Sequence, residues 1–107
     1  MDEILMNLRQ RVIKTSMGFI KAHRAYLDAI SPYPRKSRME LKGAAEEYFK
    51  AAEPYNDALH ELRQYLLAAE PSDSILAELE RTERFIKTLD KEIKVGSYLI
   101  ERNIAMR

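Results

Sequence analysis

Apolar residues recur along the chain with the period of a helix, and no segment alternates in the two-residue manner of a strand. From Asp2 to about Ile30, Leu5, Val12, Phe19 and Tyr26 form one seven-residue row, and Met6, Ile13, Ile20 and Leu27 form the row beside it. Arg11, Lys14, Gly18, Lys21 and Asp28 fall on the opposite side, which predicts a solvated face. The next stretch keeps an unbroken 4-3 spacing through Leu41, Ala45, Tyr48, Ala52, Tyr55, Leu59, Leu62, Leu66 and Ala69. A third stripe runs through Ile75, Leu79, Thr82, Ile86, Leu89, Ile93, Gly96 and Ile100.

Polar punctuation separates the three. Pro32 and Pro34 in "SPYP" remove donors and push the residues before them out of the helical region, so the first helix must stop there. "SRME" has the form of a capping box, with Ser37 and Glu40 exchanging hydrogen bonds with each other's backbone. "EPSDS" ends the second helix and offers Ser72, Asp73 or Ser74 as the cap of the third. Pro54 sits inside the second stripe, where a proline costs about 3 kcal/mol in an ordinary helix. The stripe keeps its phase across it, which predicts a kinked but continuous helix, with a break into two as the alternative. Helices over about 2–31, 38–69 and 73–106, joined by short connections, predict one domain. Its fold class is all-α, an antiparallel up-down-up three-helix bundle with helices roughly 45 Å long. Gly43 and Gly96 fall near the height of Ala22 and Ala25, which predicts close helix approach there.

Beyond Gly96 the pattern changes. Val95, Leu99, Arg102 and Met106 form a row displaced by about 100° or more from Ile93, Gly96 and Ile100, with Tyr98 beside it. Earlier in the same helix that side carries Arg81, Arg84, Thr88 and Lys91. Either the helix breaks at Gly96 and the tail re-phases onto the core, or its end buries a second face against another chain. A mid-helix glycine is often tolerated, which favours the second. Val95, Tyr98, Leu99, Arg102 and Met106 are then the candidate surface for a protein partner or a second copy, with Tyr98 and Arg102 as anchors.

The formal net charge of +1 hides a segregation. Residues 9–38 hold eight Lys/Arg against Asp28 alone, residues 40–80 hold ten acids against Lys42, Lys50 and Arg63, and residues 81–107 return to a basic balance. Complementary pairing of successive helices accounts for this pattern. A second reading uses Arg11, Lys14 and Lys21 on the first helix with Arg35, Lys36 and Arg38 of the 33–38 loop to track nucleic-acid phosphates or another acidic partner. It rests on charge alone, since a pI near 8.0 is low for a nucleic-acid binder and the exposed face lacks interleaved aromatics.

Chemistry is sparsely represented. Arg9, Ser16 and His23 recur every seven residues along the apolar face of the first helix. They form either a polar pocket, with Arg9 holding an anion and His23 exchanging protons, or a set of groups satisfied by Tyr48, Tyr55, Tyr98 or acids of the second helix. The second is expected, because acid–base work needs a placed second group. Asp57 and His60 give the nearest approach to a helical metal pair, in one copy only, and there is no phosphate loop, so no metal or cofactor is expected. No apolar run approaches the ~20 residues of a membrane span, and "MDEILMNLRQR" lacks the form of a secretory signal. Zero cysteines fit a reducing compartment, and a cytoplasmic location is expected. Adaptors, chaperones, inhibitors and oligomerisation modules all use such bundles. The expectation is therefore a small non-catalytic protein-interaction module.

Overall fold

Each helix begins at a side chain that replaces the missing partners of its first turn. In α1 (Glu3–Ile30), the Asp2 carboxylate accepts from Leu5 N–H at 3.1 Å. In α2 (Arg38–Ala68), Ser37 Oγ accepts from Glu40 N–H at 3.1 Å and Glu40 Oε1 accepts from Ser37 N–H at 3.4 Å, which is the expected capping box. In α3 (Asp73–Ala105), Ser72 is the cap, accepting from Ile75 N–H at 3.1 Å. The computed structural model describes residues 2–31 and 35–106. Pro32 and Pro34, which were assigned the end of the first helix, and Tyr33 of the following loop lie outside them.

α2 runs unbroken through Pro54. The proline is on the exposed side of the helix, where water can replace its missing N–H. α3 likewise runs unbroken through Gly96 to Ala105, so the tail does not re-phase.

The three helices form an all-α bundle in which α2 is the middle member. Phe19 meets Tyr55 and Tyr26 meets Tyr48, so α1 and α2 are antiparallel; Arg63 pairs with Glu83 while Tyr48 reaches Glu92, so α2 and α3 are too. The α2 stripe is the core: Leu41, Ala45, Tyr48, Ala52, Leu59, Leu62 and Leu66 are buried, joined by Ala58. α3 contributes Thr82, Leu89, Gly96 and Ile100. α1 contributes only Phe19, Tyr26 and Ala29 as fully buried apolar residues. The row Met6, Ile13, Ile20 and Leu27, read from the sequence as part of the α1 stripe, is exposed instead.

The reason is geometric. α1 packs on α2 and α2 on α3, but α1 and α3 run parallel and stand apart, joined by long side chains rather than by close backbone packing. The Tyr26 hydroxyl donates to the Gly96 carbonyl at 3.1 Å, and Arg9 reaches Glu78. At the far end Arg35 Nη2 donates to the Met106 carbonyl and Arg38 Nη2 to the Ile104 carbonyl, both at 3.1 Å, which satisfies acceptors at the negative end of α3.

Gly96 is the one glycine whose lack of a side chain the packing uses. A Cβ there would lie 3.1 Å from Cε1 of the Tyr48 ring. Gly43, expected at a similar close approach, is exposed and has nothing within 4 Å of where its Cβ would be. Antiparallel pairing alone placed it near Ala22 and Ala25, but Tyr26 meets Tyr48, so Gly43 lies more than a turn away from that level and on the exposed side of α2.

Candidate interaction groove

The gap between α1 and α3 is a groove with α2 as its floor. On α1 its wall is built by Arg9, Ile13, Ser16, Ile20, His23 and Leu27, spaced alternately four and three residues apart. On α3 the same spacing gives Glu78, Arg81, Phe85, Thr88, Glu92, Val95 and Leu99. Such a seam keeps one side of a helix pointed at a neighbour. Tyr48, Tyr55, Leu59 and Leu62 of α2 close the bottom. One recess, of about 440 Å³, lies between Leu27 and Leu99 over the Tyr48 ring, and another of about 350 Å³ lies beside the Arg9–Glu78 pair.

The lips are apolar and uncovered. Ile13, Ile20 and Leu27 are 59%, 48% and 47% exposed on α1, and Phe85 and Val95 are 52% and 48% exposed on α3. Scattered exposed aliphatic residues are ordinary, but their recurrence along two facing helices is not.

Arg9, Glu78, Ser16 and His23 are each engaged within the chain. Arg9 Nε donates to Glu78 Oε2 at 2.9 Å and Arg9 Nη2 to Glu78 Oε1 at 2.6 Å, a two-pronged pair across the groove end. The sequence had offered Arg9 a tyrosine or an acid of the second helix; its partner is on the third, because α1 and α3 run parallel in near register. Ser16 Oγ donates to the Ile13 carbonyl of its own helix at 2.7 Å. The His23 ring stacks within an aromatic cluster, 5.5 Å from Tyr48, 5.9 Å from Phe19 and 6.3 Å from Tyr26 between ring centres. Burial, reinforced by the Glu92 carboxylate and Tyr26, pushes the Tyr48 phenol up to about 12, and burial raises Tyr26 and Tyr55 as well.

The Arg9 hydrogen bonds hold Glu78 below the usual carboxylate range, against the opposing effect of its burial. A carboxyl depressed in the folded state contributes stability that is present above its ordinary value of 4.5 and is lost as pH falls through the folded value. Arg9→Gln leaves the Glu78 carboxylate desolvated without its cation. We expect a loss of about 1 kcal/mol at neutral pH, kept small by the partial exposure of the arginine. The diagnostic is the slope near pH 4–5. Denaturant midpoints of the parent should fall on acidification there, whereas those of Arg9→Gln should level off or rise.

Of the residues nominated from the C-terminal row, Val95 and Leu99 line the recess over Tyr48 together with His23, Tyr26 and Leu27. Tyr98, Arg102 and Met106 are exposed beyond the wall and line none of the recesses described above. The basic set is dispersed. Arg11 forms a two-pronged ion pair with Glu61 of α2, and Arg35 and Arg38 donate to carbonyls of α3. Lys14 and Lys21 stand exposed on the outer side of α1, and Lys36 is half-buried in the connection. No group of three or more His, Cys, Asp or Glu side chains suited to holding a metal ion occurs among the described residues. None of their helices is long and apolar enough to cross a membrane.

Ile13, Ile20, Leu27 and Phe85 were not recognised in the sequence as site residues. The signal that would have found them is the second 4-3 seam carried by both outer helices, which a helix needs only when it has two neighbours. Comparison of the chain with protein-family models, curated proteins and solved structures gives no match.

Proposed function

We propose that the chain is a non-catalytic protein-interaction module that receives a helix of a partner protein in the groove between α1 and α3. One observation carries this proposal: exposed apolar side chains recur along both facing walls over a floor that is already packed. A helix laid into such a groove completes a four-helix arrangement and covers both lips at once. The Val95 and Leu99 row at the end of α3 belongs to this surface as the upper part of one wall. Binding of nucleic acid by the basic residues has weaker support, because Arg11, Arg35 and Arg38 already bond to α2 and α3.

The test is position-dependent cross-linking in the cells that make the protein. A photoreactive benzoylphenylalanine in place of Ile20 or Val95 should give one discrete adduct with another protein. The same group in place of Asp57, on the exposed side of α2, should give none. Leu99→Glu in the same chain should remove the adduct. Equal labelling from all three positions, or labelling that survives Leu99→Glu, would defeat the proposal.

A further inference from the structure

We infer that the helix taken up by the groove is amphipathic with acidic flanks and comes from another protein rather than from a second copy. This rests on the groove being the docking surface and adds the chemistry of what docks. From Arg9 to Leu27 the α1 wall spans about 27 Å, so the occupant has roughly five turns of helix. Its apolar stripe must meet Ile13, Ile20 and Leu27 on one side and Phe85, Val95 and Leu99 on the other.

The charge of the walls selects its flanks. Glu78 is neutralised by Arg9, which leaves Glu92 as the remaining acid lining the groove. Against it stand Arg81, Arg84 and Lys91, all exposed on α3, and no ion pair engages Arg84 or Lys91 among the described residues. Arg24 is exposed on α1 one helical step outside Ile20 and Leu27. A helix between these walls places its flanking side chains beside cations on both sides, so Asp and Glu are favoured there and Lys and Arg are rejected.

A second copy does not meet this description. Its acidic surface is the outer side of α2, with Glu46, Glu47, Glu53 and Asp57, and the large apolar side chains exposed on that helix are Met39 and Leu67, near its two ends. Its other exposed apolar side chains, the groove lips together with Ile4, Met6 and Met17 on α1 and Leu76 and Tyr98 on α3, lie away from that acidic side. Two copies can match either apolar face to apolar face or opposite charges, but not both together.

The probes are two synthetic 21-residue amphipathic peptides with the same leucine and isoleucine spacing, one with glutamate and one with lysine at the flanking positions. Binding to the full chain is followed by fluorescence anisotropy, and its place by amide chemical shifts. We expect the glutamate peptide to bind roughly tenfold or more tighter, to shift Ile20, Phe85, Val95 and Leu99, and to weaken with added salt. Arg84→Glu with Lys91→Glu, both at exposed positions, should reverse the preference while leaving the circular dichroism melt unchanged. Equal binding of both peptides in the groove overturns the acidic partner but leaves the docking surface intact. Shifts confined to the outer side of α2, or no binding by a monomeric chain, overturn both. A chain that is dimeric until Ile20→Glu is introduced shows that a second copy is the occupant. Displacement of the glutamate peptide by a single-stranded oligonucleotide assigns the cations to nucleic acid instead; either result overturns the inference.

Discussion

Tyr48→Ala should lower the thermal unfolding midpoint by roughly 15 °C, the largest loss we expect from one side-chain truncation. The ring is 1% exposed at the centre of the bundle, where Phe19, His23, Tyr26 and Phe49 all pack on it with ring centres within 5.5 Å. It also fills the space that Gly96 leaves on α3. Deleting a buried aromatic side chain costs about 3–5 kcal/mol, because the cavity collapses only in part. For a chain of this size each kcal/mol corresponds to about 4 °C. Two controls separate packing from the hydroxyl. Tyr48→Phe removes only the hydrogen bond to the Glu92 carbonyl, 3.2 Å long, and should cost about 1 kcal/mol. Tyr98→Ala, at an exposed position, should change the midpoint by no more than a degree or two. A drop of less than about 5 °C for Tyr48→Ala would show that the aromatic cluster is not the centre of the fold.

The same residue governs behaviour in alkali. The Tyr48 phenol is raised from 10.0 to about 12 by burial, so between those values the unfolded chain releases its proton and the folded one keeps it. Stability from this group is complete below pH 10 and is lost as pH rises through about 12. Two pH units correspond to roughly 3 kcal/mol, and Tyr26 and Tyr55, raised in the same direction by burial, add to the loss. Denaturant midpoints measured from pH 8 to 12 should therefore fall steeply in the parent chain. In Tyr48→Phe the unfolding free energy should fall by about 3 kcal/mol less, the difference isolating Tyr48 from the lysines that titrate over the same range. Parallel curves for the two proteins would mean that the phenol ionises in place without loosening the bundle.

Much of the fold was legible because α2 is a helix with core on one side and water on the other. Its stripe from Leu41 to Leu66 predicted the buried residues nearly one for one, and the polar pair Ser37 and Glu40 marked its start. α1 was harder. Two adjacent rows of apolar residues read as one broad stripe, yet only the row containing Phe19 and Tyr26 finds partners within the chain. A helical wheel reports which residues share a side but not how many neighbours that side will have. The α3 wall was hidden for a different reason. Phe85 lies between Arg81, Arg84 and Thr88, and one aromatic among cations looks like a solvated surface until the opposite wall is in view. Arg9 and Glu78 lie 69 positions apart, so their pairing became visible only with the parallel register of α1 and α3.

Because α2 alone packs against both other helices, nearly all backbone contacts join segments that are neighbours in sequence. Chain closure is then inexpensive in entropy, and folding is expected on the microsecond-to-millisecond scale of helical proteins, which stopped-flow or temperature-jump kinetics would check. The outer pair is joined by the reach of arginine and tyrosine, so its spacing is the dimension that the fewest backbone contacts hold.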